Sequence, residues 1–316
     1  MPRVSVILPT YNCGNYIGSA LESEVIVVDD GSTDNTYDVI SHWKNRLTYL
    51  YQDNRGPSAA RNLAVSHATG EFLAYLDADD KWFPYKLEQQ VAFLQLNLEC
   101  GLVHSDVVVI DEADLVLFQR FDYENCRPLL QGHCARELLC SSSIHLSTVM
   151  ERYGCNQEVG GFDERIRYGE DYLHWLKVVL EGRHALGYIE ESLAQYRQRS
   201  GSLSNIENIQ FVNAKSVRMI ESLLTVYSTI LESHYKKSIL DSKAEKIVRE
   251  KIFELMVGVT YGYRQLCRND LARCQAVKLI CNSPIAIRPY MELLKSYIPP
   301  SIKTLIRGHD GKRSNL

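Results

Sequence analysis

The stretch ALESEVIVVDDGSTDNT, Ala20 to Thr36, decides how this chain is read. Its β-branched run, Val25 to Val28, has the composition of a strand buried on both faces. The run ends on two adjacent carboxylates, Asp29 and Asp30, followed by Gly31-Ser32-Thr33. Neighbouring carboxylates at the end of a buried strand repel each other, so donors, a cation or a ligand must offset them. The start of the run is equally informative. Only Glu24 separates it from the helix-like residues Gly14 to Ser23. A helix and a strand in a βαβ unit normally need a turn of ~2 to 6 residues. The expectation is that a segment is missing between Ser23 and Glu24.

Working outward, Arg3 to Leu8 reads as a first buried strand, with Val25 to Val28 the second. A helix is expected over Asp34 to Lys44, and a strand over Leu47 to Tyr51. Gly56-Pro57 opens a helix, with Pro at its first position, that runs toward a stop at Gly70. Glu71 to Leu76 is the next strand. Leu87, Val91, Leu94 and Leu98 recur as the stripe of an amphipathic helix, ahead of an apolar strand around Leu102 to Ile110. Strands alternating with helices imply a mainly parallel, twisted α/β sheet with both faces covered. Beyond Asn205 strand signals thin out, and Ile206 to Ser296 reads as several helices with a polar tail. The division expected is therefore 1–204 for an α/β domain and 205–316 for a helical region.

Composition narrows the function classes. A hydrophobic fraction of 45% and a charged fraction of 23% are those of an ordinary globular protein. A net charge of -4 argues against broad nucleic-acid binding, which needs a basic excess. No apolar run approaches the ~18 residues of a membrane span, and the opening residues lack a leader's features, so a cytoplasmic location is expected. The nine cysteines form no CxxC pair. Cys267, Cys274 and Cys281 fall at heptad spacing and read as small residues packing one helix face.

In an open parallel sheet, ligands bind beyond the carboxyl ends of the strands. Here Pro9-Thr10-Tyr11-Asn12, Asp29-Asp30-Gly31-Ser32, Asp53-Asn54 and Asp77-Ala78-Asp79-Asp80 follow the first four strands. Each alone could be turn or cap chemistry, and Asp34 reads as a cap. Together they converge on one edge. Neither GxGxxG nor GxxxxGK[ST] occurs, which removes dehydrogenase and P-loop readings.

VSVILPTYN, EVIVVDDGSTDNT, NRGPSAARNLA, FLAYLDADD, VGGFDE and GEDYLHWL, in this order over about residues 3 to 204, resemble the inverting family 2 glycosyltransferases of the GT-A fold. The resemblance implies that Thr10, Tyr11, Asp30 and Arg61 hold the base and ribose of a nucleotide-diphosphate sugar, with Asp53 and Asn54 at the edge of the same pocket. It implies a DxD pair, Asp77 toward the nucleotide and Asp79 on the Mg or Mn that bridges the phosphates. Asp171 matches the general base. Gly160, Gly161, Phe162, Asp163 and Glu170 would shape the sugar and acceptor side. YRQRSGSLS, Tyr196 to Ser204, falls where the family has a loop closing over the diphosphate, so Arg197 and Arg199 would serve as its lid. Arg199 stands where many relatives have His.

The chemistry asks for these groups independently. Breaking the bond between an anomeric carbon and a diphosphate leaves negative charge that a hard cation held by carboxylates stabilises. A carboxylate opposite the leaving group can take the acceptor's proton, and in-line attack then inverts the anomeric centre. The expected function is sugar transfer, with UDP the family's commonest nucleotide, to a glycan or lipid-linked acceptor in glycan, polysaccharide or glycolipid synthesis. The alternatives are a catalytically silent nucleotide-sugar binder and a phospho-accepting receiver-like module. The C-terminal helices leave a homodimer contact and peripheral association with the inner membrane face open.

Overall fold

The computed structural model describes residues 4–13, 24–43, 45–141, 143–199, 213–266, 268, 270–272 and 274–275. The junction before Glu24, the helix expected from Gly14, Ser200 to Ser204 of the expected lid, Cys267, Cys281 and the tail lie outside them. Two compact units are present, Met1–Glu207 with Thr225–Arg249, and Asn208–Leu224 with Glu250–Leu316.

The first unit is built on a sheet whose first four strands are parallel neighbours. These are β1 (Val4–Thr10), β2 (Glu24–Asp29), β3 (Leu47–Tyr51) and β4 (Phe72–Tyr75), in the spatial order β3-β2-β1-β4. Val25 to Val28 are at most 1% exposed, so each side chain contributes about 1.5–3 kcal/mol by burial. The parallel register pairs Thr10 with Asp29, and Ile7 with Tyr75, so the carboxyl ends of β1, β2 and β4 open on one edge. The sheet then changes sense. β8 (Met150–Arg152) pairs antiparallel with β4 and with the long β6 (Cys100–Ile110). β6 in turn pairs in parallel with β9 (Ala185–Arg197), which carries the short edge strand β5 (Lys81–Trp82) antiparallel. A further strand, β7 (Val116–Phe118), folds back on β6. All eleven residues of β6 are buried.

The helices mostly follow the sequence pattern, with instructive departures. The helix expected over Asp34 to Lys44 is only α1 (Thr36–Ser41). Asp34 accepts hydrogen bonds from the backbone N–H and hydroxyl of Thr36, a local turn that delays the helix start. α2 (Pro57–Ser66) begins at the expected proline and lays Ala59, Ala60 and Ala64 against the sheet, where small side chains allow close approach. α3 (Lys86–Leu96) buries Lys86, Gln90 and Leu94, whereas Leu98 lies beyond the helix and is 76% exposed. The buried stripe is thus rotated from the one expected. Lys86 Nζ donates to Gln90 Oε1 at 2.5 Å and stands 4.3 Å over the Trp82 ring, which makes its burial tolerable.

α4 (Phe121–Glu124), α5 (Ala135–Cys140) and α6 (Tyr153–Val159) precede α7 (Glu170–Leu180), which is buried on nearly all sides, polar Glu170 and His174 included. The Tyr172 hydroxyl donates to the Leu138 carbonyl, which seats the first turn of α7. Two long helices follow, α8 (Ala214–Lys237) and α9 (Ser242–Gln265). In the second unit Met256 packs with Leu224, Ile252, Phe253 and Val257. Of the heptad-spaced cysteines, Cys274 alone is described, and it is exposed. Among the described residues no helix is long and apolar enough to cross a membrane.

Candidate active site

The paired carboxylates that end β2 resolve their repulsion with separate sets of donors. Asp29 accepts from the Ser32 N–H at 2.8 Å and the Tyr49 hydroxyl at 3.0 Å. Asp30 accepts from Gln52 Nε2 at 2.7 Å and from the N–H groups of Arg55 and Gly56, each at 2.8 Å. Asp30 thereby shapes the loop between β3 and α2. Gly31, at φ 79°, closes the loop from the other side, because a Cβ there would lie 2.9 Å from the Asn54 nitrogen. Asp53 and Asn54 sit exposed on this rim. Thr10 is buried at the end of β1, and its hydroxyl has no hydrogen-bond partner among the described residues; Tyr11 beside it is 47% exposed.

Arg61 ties the next two groups together. It rides on the buried face of α2 with 5% of its side chain exposed. Nη1 donates to Glu170 Oε1 at 2.6 Å and Nη2 to Asp77 Oδ1 at 3.0 Å. The guanidinium carbon lies 5.5 Å from the centre of the Phe162 ring. The first DxD acid and the ED pair, distant in sequence, therefore meet on one cation. Asp171 follows Glu170 at the start of α7, where Gly169 adopts φ 76°. One of its oxygens accepts the Tyr172 N–H at 2.7 Å; the other has no hydrogen-bond partner among the described residues. Burial, reinforced by Glu170, pushes the Asp171 carboxyl up to about 7, against the opposing pull of Arg61.

Asp79 accepts from Arg199 Nε at 2.6 Å, and its carboxyl is raised by burial and by Asp77 despite that ion pair. Arg197 occupies a different place from the lid expected of it. Its side chain is 2% exposed at the end of β9 and donates to the carbonyls of Asp79 and Asp111 and to Asp114 Oδ1. It braces the acidic turn from behind.

Several supporting residues carry no sequence signal of their own. Ser147 Oγ accepts the Asp77 N–H at 3.1 Å and donates to Asp80 Oδ2 at 2.5 Å. Asp80 is 3% exposed, and burial with the neighbouring Asp79 and Asp77 raises its carboxyl well above the usual range. Asn62 exchanges two hydrogen bonds with the Phe162 backbone, at 2.8 and 2.9 Å. Gly161 has φ 66°, and a Cβ there would meet Asn62 Oδ1 at 2.8 Å. Gly160 caps α6 at φ 85°, and Asp163 is held by Arg165. Beneath Phe162, His174 stacks on the ring at 4.6 Å and bridges the Gly161 carbonyl and Glu151, which also accepts from the Tyr75 hydroxyl.

The donor set suits a hard divalent cation. Carboxylate oxygens of Asp77 and Asp79 offer two ligands at the sheet edge; among the described residues no group of three or more His, Cys, Asp or Glu is placed to hold a metal, at this edge or elsewhere. Magnesium characteristically uses one or two carboxylates and takes its other oxygens from water and phosphate.

A mainly parallel sheet with these acids at one edge matches the GT-A type of fold, and comparison with known proteins gives the family. The family model described as Glycosyl transferase family 2 matches residues 5–129. The putative teichuronic acid biosynthesis glycosyltransferase TuaG of Bacillus subtilis (strain 168) is 30% identical over 224 residues, covering 65% of this chain and 82% of TuaG. The chain belongs to glycosyl transferase family 2. It spans only 33% to 38% of the length of three rickettsial relatives described as uncharacterized glycosyltransferases.

Among solved structures, the mannosyltransferase PcManGT from Pyrobaculum calidifontis, in complex with GDP-Man and Mn2+, has a TM-score of 0.58 at 18% identity, covering 96% of this chain and 83% of that one. The UDP complex of S. aureus TarS has a TM-score of 0.52 at 19% identity, covering 88% of each chain. At these identities the likeness concerns the fold.

Proposed function

We propose that this chain transfers a sugar from a nucleotide-diphosphate sugar, a UDP-sugar by preference, to a hydroxyl of a glycan or lipid-linked acceptor with inversion. Residues 1–204 form its catalytic domain and residues 205–316 a helical region, of which Thr225–Arg249 belongs to the same compact unit as the first domain. It works in the cytoplasm, at the inner membrane face where the acceptor is lipid-linked. The observation that carries the reading is the Arg61 bridge, which brings the end of β4 and the start of α7 onto one guanidinium.

In this reading Thr10, Tyr11, Asp30, Asp53 and Asn54 line the nucleotide pocket, and the partnerless Thr10 hydroxyl is available to the donor. Asp79 holds Mg or Mn with the diphosphate, while Asp77, restrained by Arg61 and Ser147, orients the ribose side. When bound, the cation offsets the charge that develops on the departing diphosphate. Arg199, already paired with Asp79, is within reach of the same phosphates and supplies a second positive charge there. Phe162 and the Gly160-Gly161 turn form the floor on the sugar side. Asp171 takes the acceptor proton: its second oxygen is unencumbered, and a carboxyl near 7 is matched to proton transfer at neutral pH.

A panel of nucleotide sugars, scored by thermal protection with and without Mn, tests the proposal. Protection by one donor only with metal, together with transfer to an acceptor, is expected. Protection without any transfer or hydrolysis would support the silent binder instead, and no protection by any nucleotide sugar would remove the reading.

A further inference from the structure

A second recessed surface lies beside the acidic turn. It is a groove of about 610 Å³ lined by Phe83, Tyr85, Gln119, Arg120, Glu190 and Ser192 among others. Three elements build it. β5 runs on from Asp80, pairs Lys81 with Gln195 and Trp82 with Ala194, and hands the chain to Phe83, whose N–H donates to the Leu193 carbonyl. The register between β6 and β9 shifts between Ser105 and Val107, so Glu190 to Leu193 bulge out of the sheet. Gln119 and Arg120 come from the link between β7 and α4. Lys81 and Trp82 alone separate Phe83 from Asp80, three steps of extended chain or about 10 Å at ~3.3 Å each.

The lining has a specific chemistry. Phe83 and Tyr85 are stacked within 7° of parallel, ring centres 5.8 Å apart, and Tyr85 is 37% exposed. Arg120 is held in place by donating to the Glu190 carbonyl at 3.0 Å and lying 4.7 Å over the Tyr123 ring. Ser192 Oγ donates to the Gln119 carbonyl. The backbone is thus fixed, while the Glu190 carboxylate, the Gln119 side-chain amide and the Tyr85 hydroxyl have no hydrogen-bond partner among the described residues. A flat aromatic surface flanked by a carboxylate and an amide matches a sugar ring, whose C–H face packs on the aromatics and whose hydroxyls both donate and accept.

We infer that this groove binds a saccharide segment of the acceptor, removed from the hydroxyl that reacts. The inference rests on the transferase reading for the ligand's identity as acceptor, not for the binding itself. The test is an array of neutral and acidic oligosaccharides probed with the full chain, Tyr85→Ala and Glu190→Gln, alongside calorimetric UDP and Mn binding and thermal unfolding. We expect glycans retained by the unsubstituted chain to lose about tenfold in affinity in Tyr85→Ala and to weaken in Glu190→Gln, with UDP binding and Tm unchanged. An array that retains no glycan, or retention equal in all three proteins, overturns the inference. Glycan retention lost in the variants, from a chain that binds no nucleotide with Mn, would instead leave the groove standing and remove the transferase reading.

Discussion

Arg61 and Glu170, 109 residues apart, meet at 2.6 Å with 5% and 10% of their side chains exposed. Removing one partner of a buried pair strands the other charge, so Arg61→Ala is expected to lose about 3 kcal/mol in urea unfolding. Because Arg61 also lowers the Asp171 carboxyl, the same variant should move the acid limb of kcat to higher pH. Arg61→Lys should recover part of the stability. An unchanged unfolding midpoint in Arg61→Ala would show that the bridge is dispensable.

The two DxD acids are held differently, and their variants should differ in kind. Asp79→Ala is expected to abolish metal-dependent UDP binding in titration calorimetry, whereas Asp77→Ala weakens UDP binding while retaining its dependence on Mn. Undiminished metal dependence in Asp79→Ala would reassign the ligand. Arg199→Ala removes the cation that now occupies Asp79 Oδ2 and should tighten Mn binding measured without nucleotide.

Asp171→Asn keeps the shape of the side chain and should leave UDP and Mn affinity unchanged while kcat falls by about 100 to 10,000-fold. The unsubstituted enzyme must have Asp171 deprotonated to act as a base, so kcat should fall as pH drops below about 7. Glu170→Gln should cost clearly less turnover. Full activity in Asp171→Asn, or a product retaining the donor's anomeric configuration, would exclude this residue as base.

Gly161→Ala places a Cβ 2.8 Å from Asn62 Oδ1 at a backbone angle that disfavours any side chain. A loss of about 1–3 kcal/mol in stability is expected. Measured against Asn62→Ala, which by itself forfeits the two hydrogen bonds to Phe162, Gly161→Ala should still cost more than half as much, because the backbone strain remains. No cost of Gly161→Ala in that background would assign the loss to the clash alone.

Burial holds His104, ordinarily near 6.5, down at about 4, with Nε2 against the Leu130 carbonyl. Between those values the unfolded chain binds a proton that the folded chain does not. Its contribution to stability is therefore complete above pH 6.5 and is lost as pH falls toward 4, by about 3 kcal/mol. His104→Gln keeps a donor and removes the titration. Urea midpoints at about pH 7 and about pH 4.5, on either side of the ordinary histidine value, should converge in this variant relative to the unsubstituted chain.

Local composition determined the elements and the edge they share. Strand β3 spans Leu47–Tyr51 as its pattern predicts, Pro57 opens α2, and Glu170 opens α7, because β-branched runs, an N-terminal proline and helical spacing act through neighbours in the chain. The polar residues beyond each strand were legible for the same reason. Tertiary structure decided what those residues touch. Nothing local distinguishes Arg61, bridging two acids, from an arginine on a nucleotide, or marks Arg197 as buried brace instead of lid. Periodicity placed Leu98 in the buried stripe of α3, yet Lys86 and Gln90 fill it, because Trp82 and the carbonyls of Val103 and Thr148 supply partners from other elements. Ser147 between Asp77 and Asp80, and Glu151 beneath Phe162, reach the site only because β8 inserts antiparallel between β4 and β6. Strand pairing and ion pairing join residues tens of positions apart, and the energy that selects them resides in contacts that exist only once the sheet has formed.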